Sequence, residues 1–188
     1  MNASDSQQAL QALKWGDGSK TLEVFLEPTC PFSAKAFAKL DELMARGGTD
    51  RLTLKIRLLS QPWHLLSPVV TRAILAASVG VDGKSAAKSV MAAVFANRDA
   101  FILVNHCSGP NLDLTPRAIL NLIEQHSGVP VAALFEHPDL MTEMKWQARY
   151  ARQNGIHSTP TFMVDGLVVP EMSSGDTVDV WLEKLGLL

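Results

Sequence analysis

The sequence predicts an α/β fold in the order β-α-β, a block of about four helices, then β-β-α, and three observations predict it. A buried-strand pattern runs directly into a helical stripe and then an alternating strand; a long middle segment carries only helical periodicity; and two β-branched runs joined by Asp-Gly stand near the C-terminus. Residues 21–26 (TLEVFL) are the short, apolar and β-branched run of a buried strand. Phe32, Ala36, Phe37, Leu40, Leu43 and Met44 then line one helical face, and Gly47-Gly48 predicts its stop, so one long helix is expected from Cys30 to Gly47. Residues 52–58 (LTLKIRL) alternate as a strand with one covered face, and strand–helix–strand implies a parallel pair joined by a crossover.

The middle reads as helices separated by turns at 80–83, 108–112 and 128–130. One helix begins with Thr115 as cap and Pro116 at its first position. Another runs from about Asp139 to Asn154-Gly155, where glycine suits a left-handed closing residue. Residues 161–164 and 167–169, joined by Asp165-Gly166, predict a type I′ hairpin. A last helix starts near Asp176 and presents Val178, Trp181, Leu182 and Leu185. The 188 residues are thus expected to form a single domain, with roughly 66–154 as a helical insertion within it.

Composition narrows the function. Apolar residues are 47% and charged residues 19%, the balance of a globular protein, and a net charge of −2 points to neither nucleic acid nor a membrane surface. No apolar stretch is long enough to span a bilayer. Residues 1–11 lack a basic and then apolar leader pattern, so a cytoplasmic location is expected. The two cysteines, Cys30 and Cys107, exclude a disulfide-stapled scaffold, and neither has metal-ligand spacing to histidine or cysteine. No bound metal or cofactor is expected.

Cys30-Pro31-Phe32-Ser33 sits where the first strand meets the helix. Open N–H groups and the positive end of the helix dipole would stabilise a thiolate there. Such surroundings lower a cysteine pKa from about 8.5 into roughly the 3.5–7.5 range, which makes the sulfur nucleophilic near neutral pH. Ser33 is placed to hydrogen-bond the Cys30 sulfur, or to satisfy a backbone group of the first turn. It cannot resolve a mixed disulfide. Downstream, Thr159-Pro160 enters the hairpin at a point where proline must avoid a ladder hydrogen bond, which a cis peptide would allow. Gln61-Pro62-Trp63-His64 follows the second strand at the sheet edge where ligands gather. His64 is read as a loop histidine, with Trp63 packed on the helical block; the alternative places it beside the thiolate as a proton carrier. Cys107 is read as a helix-end structural residue. His106, His126 and His137 are read as helix-end or loop residues, and so is His157, which lies close to Pro160 in sequence.

Strand–Cys-Pro-x-Ser–helix, the long helical insertion, and Thr-Pro just before the final β-β-α together resemble the DsbA-like branch of the thioredoxin superfamily, over residues 20–188. That resemblance implies Cys30 as nucleophile with Ser33 beside it, and a cis Pro160 lying against the cysteine. It further implies substrate contacts from Pro31, Phe32, Thr159 and Pro160, with the Thr159 backbone pairing to a bound thiol peptide. Two departures are clear. Ser33 stands where the family's oxidoreductases have a second cysteine, and Val24 stands where several relatives carry an acid six positions before the nucleophile. Glu27 is a nearer acid and, with His64 and Trp63, a candidate auxiliary residue. The reading is thiol–disulfide exchange through one cysteine, acting on a disulfide-containing protein or peptide with glutathione or another small thiol as co-substrate. A glutathione-dependent transferase or isomerase and a non-catalytic peptide-binding module are the alternatives.

Overall fold

A computed structural model describes residues 13–188; the leader reading of residues 1–11 lies outside them. Strands β1 (Lys14–Trp15), β2 (Lys20–Leu26), β3 (Leu52–Leu58), β4 (Thr161–Val164) and β5 (Leu167–Val168) form one sheet in the order β1-β3-β2-β4-β5. β2 and β3 are parallel, from Lys20 opposite Leu52 to Leu26 opposite Leu58, as a crossover connection requires. β4 lies antiparallel on the other side of β2. β1 is a correction to the expected order: two residues are too few to show periodicity, yet Lys14 and Trp15 pair with Lys55 and Leu54 along the outer edge of β3.

The central strand is apolar on both sides because both of its faces are covered. Leu22, Val24 and Leu26 join the main core with Leu43, Ile74, Val90, Ile119 and Trp181, while Phe25 packs on the opposite face with Ala151, Ile156 and Met163. Glu23 interrupts the apolar run and is buried, and its carboxylate accepts from Arg57 Nε at 2.7 Å and from the Tyr150 hydroxyl at 3.0 Å. A buried carboxylate is tolerated when it is paired in this way.

The expected single helix after Cys30 is two: α1 (Pro31–Phe37) and α2 (Leu40–Gly47). At the break the Lys39 N–H bonds the Ala36 carbonyl at 3.1 Å, one residue short of the α-helical partner. The Lys39 side chain explains the turn. Its ammonium lies 4.8 Å from the Trp181 ring centroid and donates to the carbonyls of Ser174 and Asp176 in the C-terminal loop.

Between β3 and β4 lie four α-helices: α3 (Ser67–Ser78), α4 (Gly83–Ala96), α5 (Pro116–Ser127) and α6 (Asp139–Gln153), with three 3-10 turns among them. The Thr115 hydroxyl caps α5, accepting from the Ala118 N–H at 3.2 Å. Asp165 and Gly166 have φ of 49° and 85°, the paired left-handed conformations of a type I′ turn. α7 (Val178–Leu185) begins after Thr177 and buries Val178, Trp181, Leu182 and Leu185. None of the described helices is long and apolar enough to cross a membrane.

β1 is held to β2 by a loop that runs against the β3 entry. A Cβ on Gly18 would fall 1.8 Å from the Arg51 carbonyl carbon, so only glycine fits. Gly18→Ala is expected to cost about 1–3 kcal/mol of unfolding free energy in urea titrations; an unchanged midpoint would contradict this packing.

Candidate active site

The β2–β4 register brings two distant segments together. Phe25 pairs with Thr161, so Thr159 and Pro160 arrive beside the chain leaving β2. The Thr159–Pro160 bond is cis. Cys30 is the N-cap of α1 with extended backbone (φ −79°, ψ 130°), and Pro31 occupies the first helical position. The Cys30 side chain is 7% exposed and its thiol points at the Thr159 carbonyl, with Sγ to O at 3.8 Å.

Pro31 has no N–H. The Phe32 and Ser33 amides, which an N-cap side chain ordinarily accepts, have no partner among the described residues. They stand open at the turn that carries the sulfur. The Thr159 N–H is likewise unpaired among those residues.

Ser33 makes no hydrogen bond to the sulfur, which corrects one expectation and leaves its other reading, bonding a backbone group. It is fully buried, and its Oγ accepts from the Glu27 N–H at 3.1 Å, bracing the loop that carries Cys30. Phe32, by contrast, is 56% exposed next to the cysteine.

Glu27 is also fully buried. Its carboxylate accepts from the Thr29 N–H at 3.1 Å and from the Thr29 hydroxyl at 3.0 Å. That hydroxyl lies 2.9 Å from His64 Nδ1, which is itself 3.5 Å from Glu27 Oε2. The Ser67 hydroxyl, buried at the start of α3, leans toward the same carboxylate without reaching hydrogen-bond geometry. Burial is the main influence on Glu27 and holds its carboxyl above the usual range, against the lowering effects of Ser67, Thr29 and the Arg98 charge. Burial also lowers the His64 pKa, helped by His106 and Arg98.

His64 is a loop residue, as read from the sequence, but it is tied to its surroundings by a side-chain hydrogen bond. Its side chain is 9% exposed and wired to the loop that bears Cys30. Trp63 is 51% exposed and is not packed into the helical block. Both line a pocket of about 330 Å³ that Pro31 and Leu65 share with Arg98, Leu103 and His106.

Sequence reasoning passed over Thr29 and Arg98, and read His106 as a helix-end or loop residue without its place beside His64. Thr29 stands between Glu27 and Cys30 in the sequence, and a hydroxyl placed between two ionisable residues was the available signal. Arg98 and His106 come from the helical block, with nothing local to mark them. Arg98 Nη1 donates to the Thr29 carbonyl at 3.4 Å, and the His106 ring stands edge-on to His64 at 5.1 Å. Cys107 is a further correction: it is exposed in the tight loop between Val104 and Ser108, whose backbones pair, and not at a helix end. His157 is exposed, and its carbonyl accepts from Gln61 Nε2 at 3.3 Å. Among the described residues there is no cluster of three or more metal-ligating side chains.

A family model described as thioredoxin matches residues 16–184. The chain belongs to the thioredoxin family. A Pseudomonas syringae protein described as a "putative protein-disulfide isomerase" is 53% identical, with a TM-score of 0.92 over 95% of this chain and 99% of that one. Pseudomonas aeruginosa DsbA2 shares the fold at 17% identity, with a TM-score of 0.64 over 94% of each chain. Xylella fastidiosa DsbA does so at 20% identity and a TM-score of 0.63, over 90% of this chain and 86% of that one. No functionally curated protein matches the chain.

The raised Glu27 pKa has a signed consequence for stability. Because the folded state favours the protonated carboxyl, the wild type carries extra stability below the ordinary value of 4.5 and loses it as pH rises through the higher folded value. Glu27→Gln lacks this titration. Urea midpoints of the two proteins are expected to shift in favour of the variant as pH rises through that window; a gap independent of pH would contradict the assigned burial effect.

Proposed function

We propose that this protein is a thiol–disulfide exchange enzyme of isomerase or reductase type, working through a single mixed disulfide on Cys30. The observation that carries this reading is the placement of Cys30 Sγ at the α1 cap, beside the unpaired Phe32 and Ser33 amides and 3.8 Å from the Thr159 carbonyl. The thiolate is the reactive form, and the two amides at the cap are available to donate hydrogen bonds to it once the thiol proton is gone.

In the proposed cycle the Cys30 thiolate attacks one sulfur of a substrate disulfide. The Cys30–substrate S–S bond forms, the substrate S–S bond breaks, and the departing thiolate takes a proton. A second thiol then attacks the mixed disulfide and Cys30 leaves as thiolate. When that thiol belongs to the substrate the outcome is isomerisation without net redox change; when two equivalents of an external thiol such as glutathione act, the substrate is reduced. Ser33 has no sulfur with which to resolve the intermediate, so release depends on a thiol from outside the motif.

Substrate docking follows from the same geometry. The open N–H of Thr159 and its carbonyl offer an extended peptide one edge to pair with. Exposed Phe32, Trp63 and Leu65 supply apolar contact beside it, which suits partly unfolded protein substrates. The relatives' names as isomerase and DsbA support this substrate class.

Reaction with glutathione disulfide separates the two cysteines. Cys107→Ser is expected to gain one glutathionyl group by intact mass, and Cys30→Ser,Cys107→Ser none. Turnover of a scrambled disulfide protein is expected to survive Cys107→Ser and to fall at least about 100-fold in Cys30→Ser. Full turnover in Cys30→Ser would overturn the reading.

A further inference from the structure

Glu27, Thr29 and His64 take no part in the sulfur exchange as written, yet they form a continuous chain from the buried interior to the pocket beside Pro31. Thr29 has one hydroxyl proton. With the Glu27 carboxylate ionised, that proton bonds Glu27 at 3.0 Å, so Thr29 Oγ1 must accept at 2.9 Å from a protonated His64 Nδ1. This fixes the neutral tautomer of His64 and leaves Nε2 with a bare lone pair. Nε2 has no partner among the described residues and is not buried, since Ser67 Oγ is the one unpaired buried side-chain atom among them. His64 lines the pocket that Pro31, the residue after Cys30, helps to form.

We propose that Glu27, Thr29 and His64 are a proton relay that takes the proton from the thiol attacking the Cys30 mixed disulfide. The inference rests on the exchange reading above and assigns its missing base. The balance is closed: the thiol proton goes to His64 Nε2, Nδ1–H passes to Thr29 Oγ1, and the Thr29 hydroxyl proton passes to Glu27. The thiol sulfur, now a thiolate, forms its bond to the substrate sulfur as Cys30 leaves. No imidazolium accumulates, because one proton enters the chain and one arrives at the carboxylate. Reversed, the same relay protonates the thiolate expelled when Cys30 first attacks.

The surroundings favour this direction. Arg98, from the 3-10 turn after α4, and His106, from the 104–108 loop, face His64 and oppose imidazolium formation, while the ionised Glu27 carboxylate, 3.5 Å from Nδ1, draws the proton inward. Burial of Glu27 favours its protonated form. A purely structural role for the three residues would satisfy the buried carboxylate through Thr29 alone and would not require a pocket-lining histidine whose second nitrogen is left unpaired.

The test uses Cys107→Ser protein carrying glutathione on Cys30. The rate at which 2-mercaptoethanol frees Cys30 is read by acid quench and intact mass from about pH 5.5 to 9. With the relay intact, the rate falls by less than tenfold per pH unit below the small thiol's own pKa. Thr29→Val and Glu27→Gln are expected to fall tenfold per unit, to be about 10–100-fold slower near pH 6, and to converge with the parent near pH 9, where attack by the thiolate already formed in solution carries the reaction without a base. Thr29→Ser, which returns the hydroxyl, is expected to restore the shallow profile. A parent rate that simply tracks the thiolate fraction would overturn the relay, as would Thr29→Val with the parent profile or variants slowed equally at every pH. Failure of Cys30 to take glutathione at all would instead overturn the exchange reading, and the relay with it.

Discussion

The pairing of Phe25 with Thr161 is the constraint on which the active face depends. β2 ends at Leu26 and the chain turns at once into Cys30 and α1, while β4 begins immediately after Pro160. A one-residue slip in that register would turn the core-facing side chains of β4 to the wrong face and carry the Thr159 carbonyl away from the sulfur. The hydrophobic core enforces the register: Leu22 and Val24 point to one side with Phe162, and Phe25 to the other with Met163. The contact between Cys30 and Thr159 is weak in itself. Its position is set by the burial of these five apolar side chains.

Around that contact the protein buries several polar groups, and all but the Ser67 hydroxyl are held by specific partners. Ser33 Oγ takes the Glu27 N–H, the Glu27 carboxylate takes both polar groups of Thr29, and Arg98 reaches the Thr29 carbonyl. The residues 27–33 are thus cross-linked into a rigid turn, which keeps the sulfur and the open helix amides in fixed relation. Serine at position 33 serves this turn. The same side chain that removes the second sulfur from the motif satisfies a backbone amide that would otherwise be buried unpaired.

Local patterns carried much of the architecture. The strand–Cys-Pro–helix junction, the Thr115-Pro116 helix start and the Asp165-Gly166 hairpin each depend on a backbone requirement that only a few residue types meet, and each stands where the sequence placed it. What escaped depends on partners remote in sequence. The break at Ala38–Lys39 is bound to the C-terminal loop and Trp181, and no pattern within α1 and α2 announces it. β1 exists because the edge of β3 was available. His64 is the loop histidine the sequence suggests, but its bond to Thr29 was hidden because Thr29 follows a different strand, and Cys107 looked structural because the left-handed Asn105 and His106 beside it are not glycines. Candidate residues were readable one by one. Their wiring was not.

The direct test is a crystal structure of the protein trapped on Cys30 with a short cysteine-containing peptide. The peptide main chain is predicted to lie extended against Thr159, accepting from its N–H and donating to its carbonyl, with side chains over Phe32 and Trp63. A peptide held by its sulfur alone and directed away from Thr159 would contradict the assignment of this edge as the substrate site.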